Sequence, residues 1–307
     1  MTLQQLRYLV ALDTHRHFSS AAEAVLVTQP TLTMQVKKLE DEMGIKVFDR
    51  SKSPIQPTPM GTVIIGKARE ILQQVDALHQ YVTGTQTDIS GEFSVAIIPT
   101  LAPYLLPRFL PPFITGFPET KLNIRELQTE QIISQLKAGT LDVGILVTPL
   151  SEQSIREVPI FNEPFYIYGD TYLPKDKYLA GELPEEGLLL LDEGHCFREQ
   201  ALEICSRRER SAVKNIEYLS GSIESLKALV RKGMGYTLVP ALSVTGEDKD
   251  YLHEFEGQTP VREVSLVVHN SFVRERLLEV LRDVIINAVP EEMRSEENYY
   301  KVRWRQA

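Results

Sequence analysis

The sequence predicts two kinds of architecture in one chain of 307 residues: an N-terminal all-α domain with a two-stranded wing and a long linker helix, then a C-terminal α/β domain of two lobes. Three observations lead there. The first 60 residues hold short runs at helical spacing, closed by capping residues and glycine. A single long run of apolar residues at steps of four and three follows. From Phe93 onward, strand-like and helix-like segments alternate.

Leu3, Leu6 and Val10 mark an opening amphipathic helix that ends near His15-Arg16-His17. Ser20-Ala21-Ala22-Glu23 fits a capping box, so a second helix is expected to start there and run to about Leu26. Thr28 then offers a capping oxygen and Pro30 a residue suited to a first turn. The third helix runs to about Met43, where Gly44 closes it. Two short helices across a tight turn form a helix-turn-helix, whose second helix is the one that enters a DNA major groove. Ile45–Arg50 reads as a short strand, and Pro54 and Pro57 in the turn-rich stretch after it suggest a wing.

Thr58-Pro59 opens the linker helix. Ile64, Ala68, Ile71, Val75, Leu78 and Val82 form a seam of coiled-coil type, which implies a dimer, although a helix packed on its own domain would show similar residues. Residues 83–91 are polar and glycine-bearing, a hinge. Beyond it the predicted elements are strands at 93–98, 121–127 and 143–147 with helices at 104–115 and 129–138. A second set has strands at 187–191, 215–219 and 236–240 with helices at 197–205 and 222–231. Parallel pairing is expected in both sets. A crossover strand at 163–168 and a return at 264–269, with a helix at 274–286, would join two lobes around a cleft suited to a ligand. The tail from Val289 is expected to be loosely attached.

Composition narrows the classes. A hydrophobic fraction of 43% with 24% charged residues is that of a folded globular protein. The start of the chain lacks signal-peptide character and no run could span a bilayer, so the expectation is a cytoplasmic protein with no membrane partner. The net charge of −9 is unevenly spread: residues 1–90 balance at 9 basic and 9 acidic, and seven basic residues between 31 and 69 face four acidic ones. This permits contact with phosphates. Gln29, Pro30, Thr31, Thr33, Gln35 and Lys38, around the start of the third helix, are the candidates for DNA contact, with Arg50 and Lys52 in the wing tracking phosphate. Some of these could instead be ordinary solvated side chains.

Cys196 and Cys205 are the only cysteines. Zinc would need four ligands and the pair with the adjacent His195 does not make four locally, no Ser/His/Asp grouping suggests hydrolysis, and no cofactor is implied. Read alone, the pair could be two packed small hydrophobes or thiol chemistry.

The order of elements resembles the LysR-type transcriptional regulators over nearly the whole chain. The motifs are Phe18-Ser19-Ser20-Ala21-Ala22, Val27-Thr28-Gln29-Pro30-Thr31-Leu32-Thr33, Lys38-Leu39-Glu40, Met43-Gly44, Val47-Phe48-Asp49-Arg50 and Thr58-Pro59-Met60-Gly61. Gly194-His195-Cys196-Phe197-Arg198-Glu199-Gln200-Ala201, Cys205, the stretch Ile98–Pro107 and Gln128-Thr129 are similar to the peroxide-sensing branch of that family.

The resemblance implies a winged helix-turn-helix domain at 1–58, a linker helix and hinge at 59–90 and a periplasmic-binding-protein-like regulatory domain at 91–307. Lobe I would take about 91–163 and 268–307, and lobe II about 164–267. It implies a non-enzymatic activator that binds promoter DNA as a homo-tetramer, contacts RNA polymerase, takes hydrogen peroxide as its signal and is reset by cellular thiol reductants. Cys196 would react with peroxide and Cys205 would resolve the product, with Thr100, Thr129, His195 and Arg198 around the thiol; either threonine could equally cap the helix that it precedes. A cleft-binding small effector with structural cysteines is the alternative.

If 197–205 is helical, the two cysteines stand about 13.5 Å apart along the axis, whereas a disulfide needs Cα atoms within roughly 7 Å. Oxidation would then have to unwind the helix. The helix dipole with His195 and Arg198 is expected to favour the thiolate. Two departures from the resemblance stand out. His269 and Asn270 occupy the place where an arginine is expected, and Ser206–Arg210 replaces an apolar, glycine-bearing loop.

Overall fold

In the computed structural model, residues 1–83, 89–169, 173, 175, 177–184, 186–192, 194, 196–205, 221–294, 299–302 and 304 are described. They fall into two units. One is residues 1–88 with 134–140 and 269–276, and the other is 89–133 with 141–268 and 277–307.

The N-terminal helices are α1 (Leu3–His15), α2 (Phe18–Ala24) and α3 (Gln29–Met43). Thr2 and Gln5 form a capping box on α1. Thr28 caps α3, with Pro30 in its first turn, and Gly44 terminates it at φ 69°, a left-handed value that glycine adopts without a Cβ penalty. The expected box at Ser20–Glu23 does not form. Helix α2 already starts at Phe18 behind His17, so Ser20 lies inside the helix. The aromatic ring of Phe18 packs on the domain core, which outweighs the weaker preference for a serine cap. Strands β1 (Phe48–Asp49) and β2 (Gln56–Pro57) pair antiparallel as the wing.

Helix α4 (Pro59–Thr83) departs from a single seam. Its first half joins the N-terminal core through Ile64, Ile65, Ala68 and Leu72, and Arg69 pairs with Asp13 of α1 at 2.6 Å. Val63, Ile71 and Leu78 are exposed instead, while the Val82 side chain lies outside the described residues. The expected seam thus divides between a face that packs at home and one that stays apolar in solvent.

The C-terminal part runs β3 (Gly91–Ile97), α5 (Ala102–Gly116), β4 (Thr120–Glu126), α6 (Thr129–Lys137), β5 (Val143–Thr148), β6 (Ile155–Tyr168) and β7 (Lys177–Tyr178). It continues α7 (Cys196–Ile204), α8 (Ile223–Val230), β8 (Thr237–Pro240), β9 (Leu252–Phe255), β10 (Thr259–His269), α9 (Glu275–Ala288) and β11 (Tyr299–Lys301). The sheet order is β4-β3-β5-β10-β6-β9-β7, with β8 on β6 and β11 on β10. Strands β3, β4 and β5 are parallel, as the βα alternation requires, and β10 returns antiparallel to β5.

The second set differs from expectation. β8 and β9 are antiparallel to the long strand β6, and 187–191 forms no extended strand but a parallel bridge between Leu188 and Tyr236 among the described residues. The expected strand at 215–219 lies outside the described residues. The described part of the tail is also not loose. β11 adds in parallel to β10, and Val302, 2% exposed, enters the core that holds Phe197 and Cys205. Backbone pairing with Thr259–Val261 at the start of β10 and one buried apolar residue anchor it.

Gly61 packs so closely on the wing that a Cβ there would overlap the Val47 carbonyl. Gly61→Ala is expected to destabilise the N-terminal unit by about 3 kcal/mol, the upper end for overpacking, read as an earlier transition in urea denaturation of the full chain.

Candidate redox site and nucleic-acid interface

Parallel strands open at their carboxyl ends onto the N-termini of the helices that follow, and this is where Thr100 and Thr129 fall. Thr100 lies between β3 and α5 and Thr129 is the first residue of α6, both 3% exposed. Cys196 is the first residue of α7, buried and reduced, and Thr129 donates a hydrogen bond to its sulfur. Cys205 follows the last residue of α7, also buried and reduced, in the core with Leu191, Ile204 and Tyr236. His195 lies outside the described residues, as does Ser206–Arg210.

The expected electrostatics are corrected in two ways. Arg198 turns to the Leu191 carbonyl at 3.0 Å. Among the described residues the cation that acts on Cys196 is Arg262 of β10, which the sequence reading missed. Its guanidinium is fully buried, pairs with Glu163 at 2.8 Å, donates to the Thr100 hydroxyl and carbonyl at 3.1 Å each, and lies 5.7 Å over the Phe197 ring. His269 turns instead to Ser271 at 2.7 Å.

Burial pushes the Cys196 thiol up, opposed in turn by Arg262, the Thr129 hydroxyl and the N–H groups of Phe197 and Cys196. Removing the sulfur from water thus works against the thiolate that the sequence leads one to expect. A second residue missed from sequence is Gln200, one turn beyond Cys196 and fully buried, whose side-chain oxygen and nitrogen have no partner among the described residues. Its spacing of four from Cys196 was the available signal.

In the N-terminal unit, Gln29, Pro30, Lys38 and Lys52 are exposed. The hydroxyls of Thr31 and Thr33 are engaged locally, with Thr28 Oγ1 and the Gln29 carbonyl at 2.8 Å each. Gln35 accepts from Gln5 at 3.2 Å, and Lys52 donates to Gln56 at 3.1 Å. Arg50 pairs with the buried Glu40 at 3.1 Å and lies 5.4 Å over the Phe18 ring. Glu40 also accepts the N–H groups of Val47 and Phe48 at 2.9 and 3.2 Å, tying α3 to the wing. Met34, 60% exposed on α3, was not among the candidates. Its apolar side chain suits contact with a thymine methyl.

A winged helix-turn-helix joined to a two-lobed α/β domain defines a regulator of transcription, and the chain belongs to the LysR family of such regulators. Residues 3–62 match the bacterial regulatory helix-turn-helix protein of the lysR family, and residues 86–290 match the LysR substrate binding domain. The chain is 36% identical to the hydrogen peroxide-inducible genes activator of Pectobacterium carotovorum, over 93% of this chain and 96% of that protein. It is 37% identical to the DNA-binding transcriptional dual regulator OxyR of Escherichia coli K12, over 81% and 82%. A full-length OxyR variant from Pseudomonas aeruginosa superposes with a TM-score of 0.83 at 34% identity, covering 97% of this chain and 98% of that one. Among the described residues no helix is long and apolar enough to cross a membrane.

Because the folded thiol ionises above its ordinary range, the stability linked to its protonated form is complete below that range and is lost as pH rises from there through the raised folded value. Iodoacetamide labelling of native Cys196, followed by mass spectrometry, is expected to rise at a higher pH than labelling of the urea-unfolded chain. Coincident profiles would remove the burial argument.

Proposed function

We propose that the chain is a cytoplasmic transcription activator that senses hydrogen peroxide through Cys196 and Cys205. Its regions are a DNA-binding domain at 1–58, a linker at 59–90 and a sensing domain at 91–307. It works as a tetramer of two dimers on promoter DNA and alters contacts with RNA polymerase. It needs no cofactor or metal, and it reacts with peroxide stoichiometrically rather than as an enzyme.

The observation that carries this reading is the position of the two reduced thiols on α7, Cys196 in its first turn and Cys205 directly after its last residue. The printed names of the relatives above agree with it. Ionised Cys196 attacks one peroxide oxygen. The S–O bond forms as the O–O bond breaks, and the departing hydroxide takes up a proton to become water. Thr100, Thr129, His195 and Gln200 are the polar groups for the charge that develops, with Arg262 in place of Arg198 as the cation. Cys205 then displaces water from the sulfenic acid to give the disulfide, which thiol reductants reopen. With about 13.5 Å of helix between the cysteines, that bond requires α7 to unwind, and the unwinding is the signal.

Anaerobic titration of the reduced chain with hydrogen peroxide, with cysteine states mapped by mass spectrometry and DNA footprints taken in parallel, tests this. A Cys196–Cys205 disulfide at near-stoichiometric peroxide with an altered footprint is expected. In Cys205→Ser the sulfenic acid should persist. Thiols untouched by excess peroxide would return the search to a small effector.

On DNA, Gln29, Pro30, Thr31, Thr33 and Gln35 lie around the start of the reading helix, with Lys38, Arg50 and Lys52 nearer the phosphates. Lys38→Ala is expected to weaken binding to all sequences alike and to lower the salt slope by about one. Gln29→Ala should change sequence preference instead. Binding isotherms on operator and random duplexes at several salt concentrations check both.

A further inference from the structure

The hydroxyl of Thr100 has one hydrogen to give and lone pairs to receive. Arg262 Nη1 donates to that oxygen and Nη2 to the carbonyl of the same residue, each at 3.1 Å. A guanidinium has no acceptor, so the Thr100 hydrogen cannot point back at it and is left for another partner. The guanidinium itself cannot turn. Nε donates to Glu163 Oε2 at 2.8 Å, Nη2 pairs with the same oxygen at 2.8 Å, and the Phe197 ring lies on one side. Glu163 is held in turn by the N–H of Leu242 at 2.9 Å, and both charged side chains are fully buried.

We propose that Glu163 is a positioning residue for the peroxide reaction. By clamping Arg262 it fixes the Thr100 hydroxyl as a hydrogen-bond donor to the peroxide attacked by Cys196. The proposal rests on the peroxide-sensing reading. A neutral hydroxyl whose rotor is set in advance stabilises the departing oxygen without reorganising in the transition state, and a freely turning one does so only part of the time. Thr100 gives a hydrogen bond and keeps its proton. Alkylation of the same sulfur by iodoacetamide releases iodide, which has no use for this donor, so the ratio of the two rates reports the clamp separately from thiolate content.

The test uses the full reduced chain and measures both second-order rates at one pH. Glu163→Asp keeps a buried charge opposite Arg262 while drawing the carboxylate back by one methylene. It is expected to lower the ratio of peroxide rate to alkylation rate about tenfold. Thr100→Val should lower the ratio by a similar factor, and Thr100→Ser should restore most of it. Glu163→Asp added to Thr100→Val should lower it no further, because the two act through one hydroxyl.

Should Glu163→Asp fail to fold, Arg262→Lys, which keeps the charge and loses the fork, takes its place in the same cycle. An unchanged ratio in the Glu163 variant, or effects that multiply in the double variant, would overturn the positioning role and leave the sensor reading intact. A wild-type chain that is alkylated but does not react with peroxide would overturn both.

Discussion

A disulfide between Cys196 and Cys205 and an intact α7 cannot exist together, and the proposed switch depends on that exclusion. The helix keeps its two sulfurs far beyond bonding reach, so joining them must dismantle hydrogen bonds along it. Phe197, Ala201, Ile204 and Cys205 belong to one core with Leu191, Tyr236 and Val302, so unwinding cannot stay local. Among the described residues the buried Gln200 amide has no hydrogen-bond partner, so what those residues give α7 is mainly apolar packing.

The electrostatics of the site follow from enclosure. A fully buried sulfur resists ionisation, and the groups that favour the thiolate do so at a distance set by other buried contacts. Arg262 is the chief of these. It reaches the site from β10, the strand that connects the two halves of the sheet between β5 and β6, and its countercharge Glu163 lies on β6. A buried pair of this kind is poor evidence for added stability, since its desolvation offsets most of its attraction. What it supplies is orientation: five donors in a rigid plane, aimed at Thr100 and Glu163 at once.

In the N-terminal unit one carboxylate has a comparable role. Glu40, on the inward face of α3, takes the N–H groups of Val47 and Phe48 where the wing begins and the guanidinium of Arg50. The reading helix and the wing therefore move as one body, and Arg50 is committed partly to that joint. Its place in the sequence beside other basic residues made it look like a phosphate contact. The fold gives it an internal partner, while Lys38 and Lys52 remain exposed.

By itself the sequence determined the order of elements, the capped ends of α3, the βα repeat of the first lobe and the two cysteines at the ends of one helix. Each of these rests on contacts between residues close in the chain, where periodicity, Thr28, Pro30 and Gly44 act directly. The family motifs were legible for the same reason. What only the tertiary structure decided depends on residues far apart. Arg262 meets Thr100 across 162 positions and Glu163 across 99, so neither partner leaves a mark near Cys196 in the sequence. A helix N-terminus and nearby cations are visible in sequence, whereas the desolvation that opposes them at Cys196 is a property of everything packed around the sulfur. The antiparallel pairing in the second lobe, the anchored tail and the split of the linker seam were hidden on the same ground: local pattern shows which face of a segment is apolar, and only the assembled chain decides what that face meets.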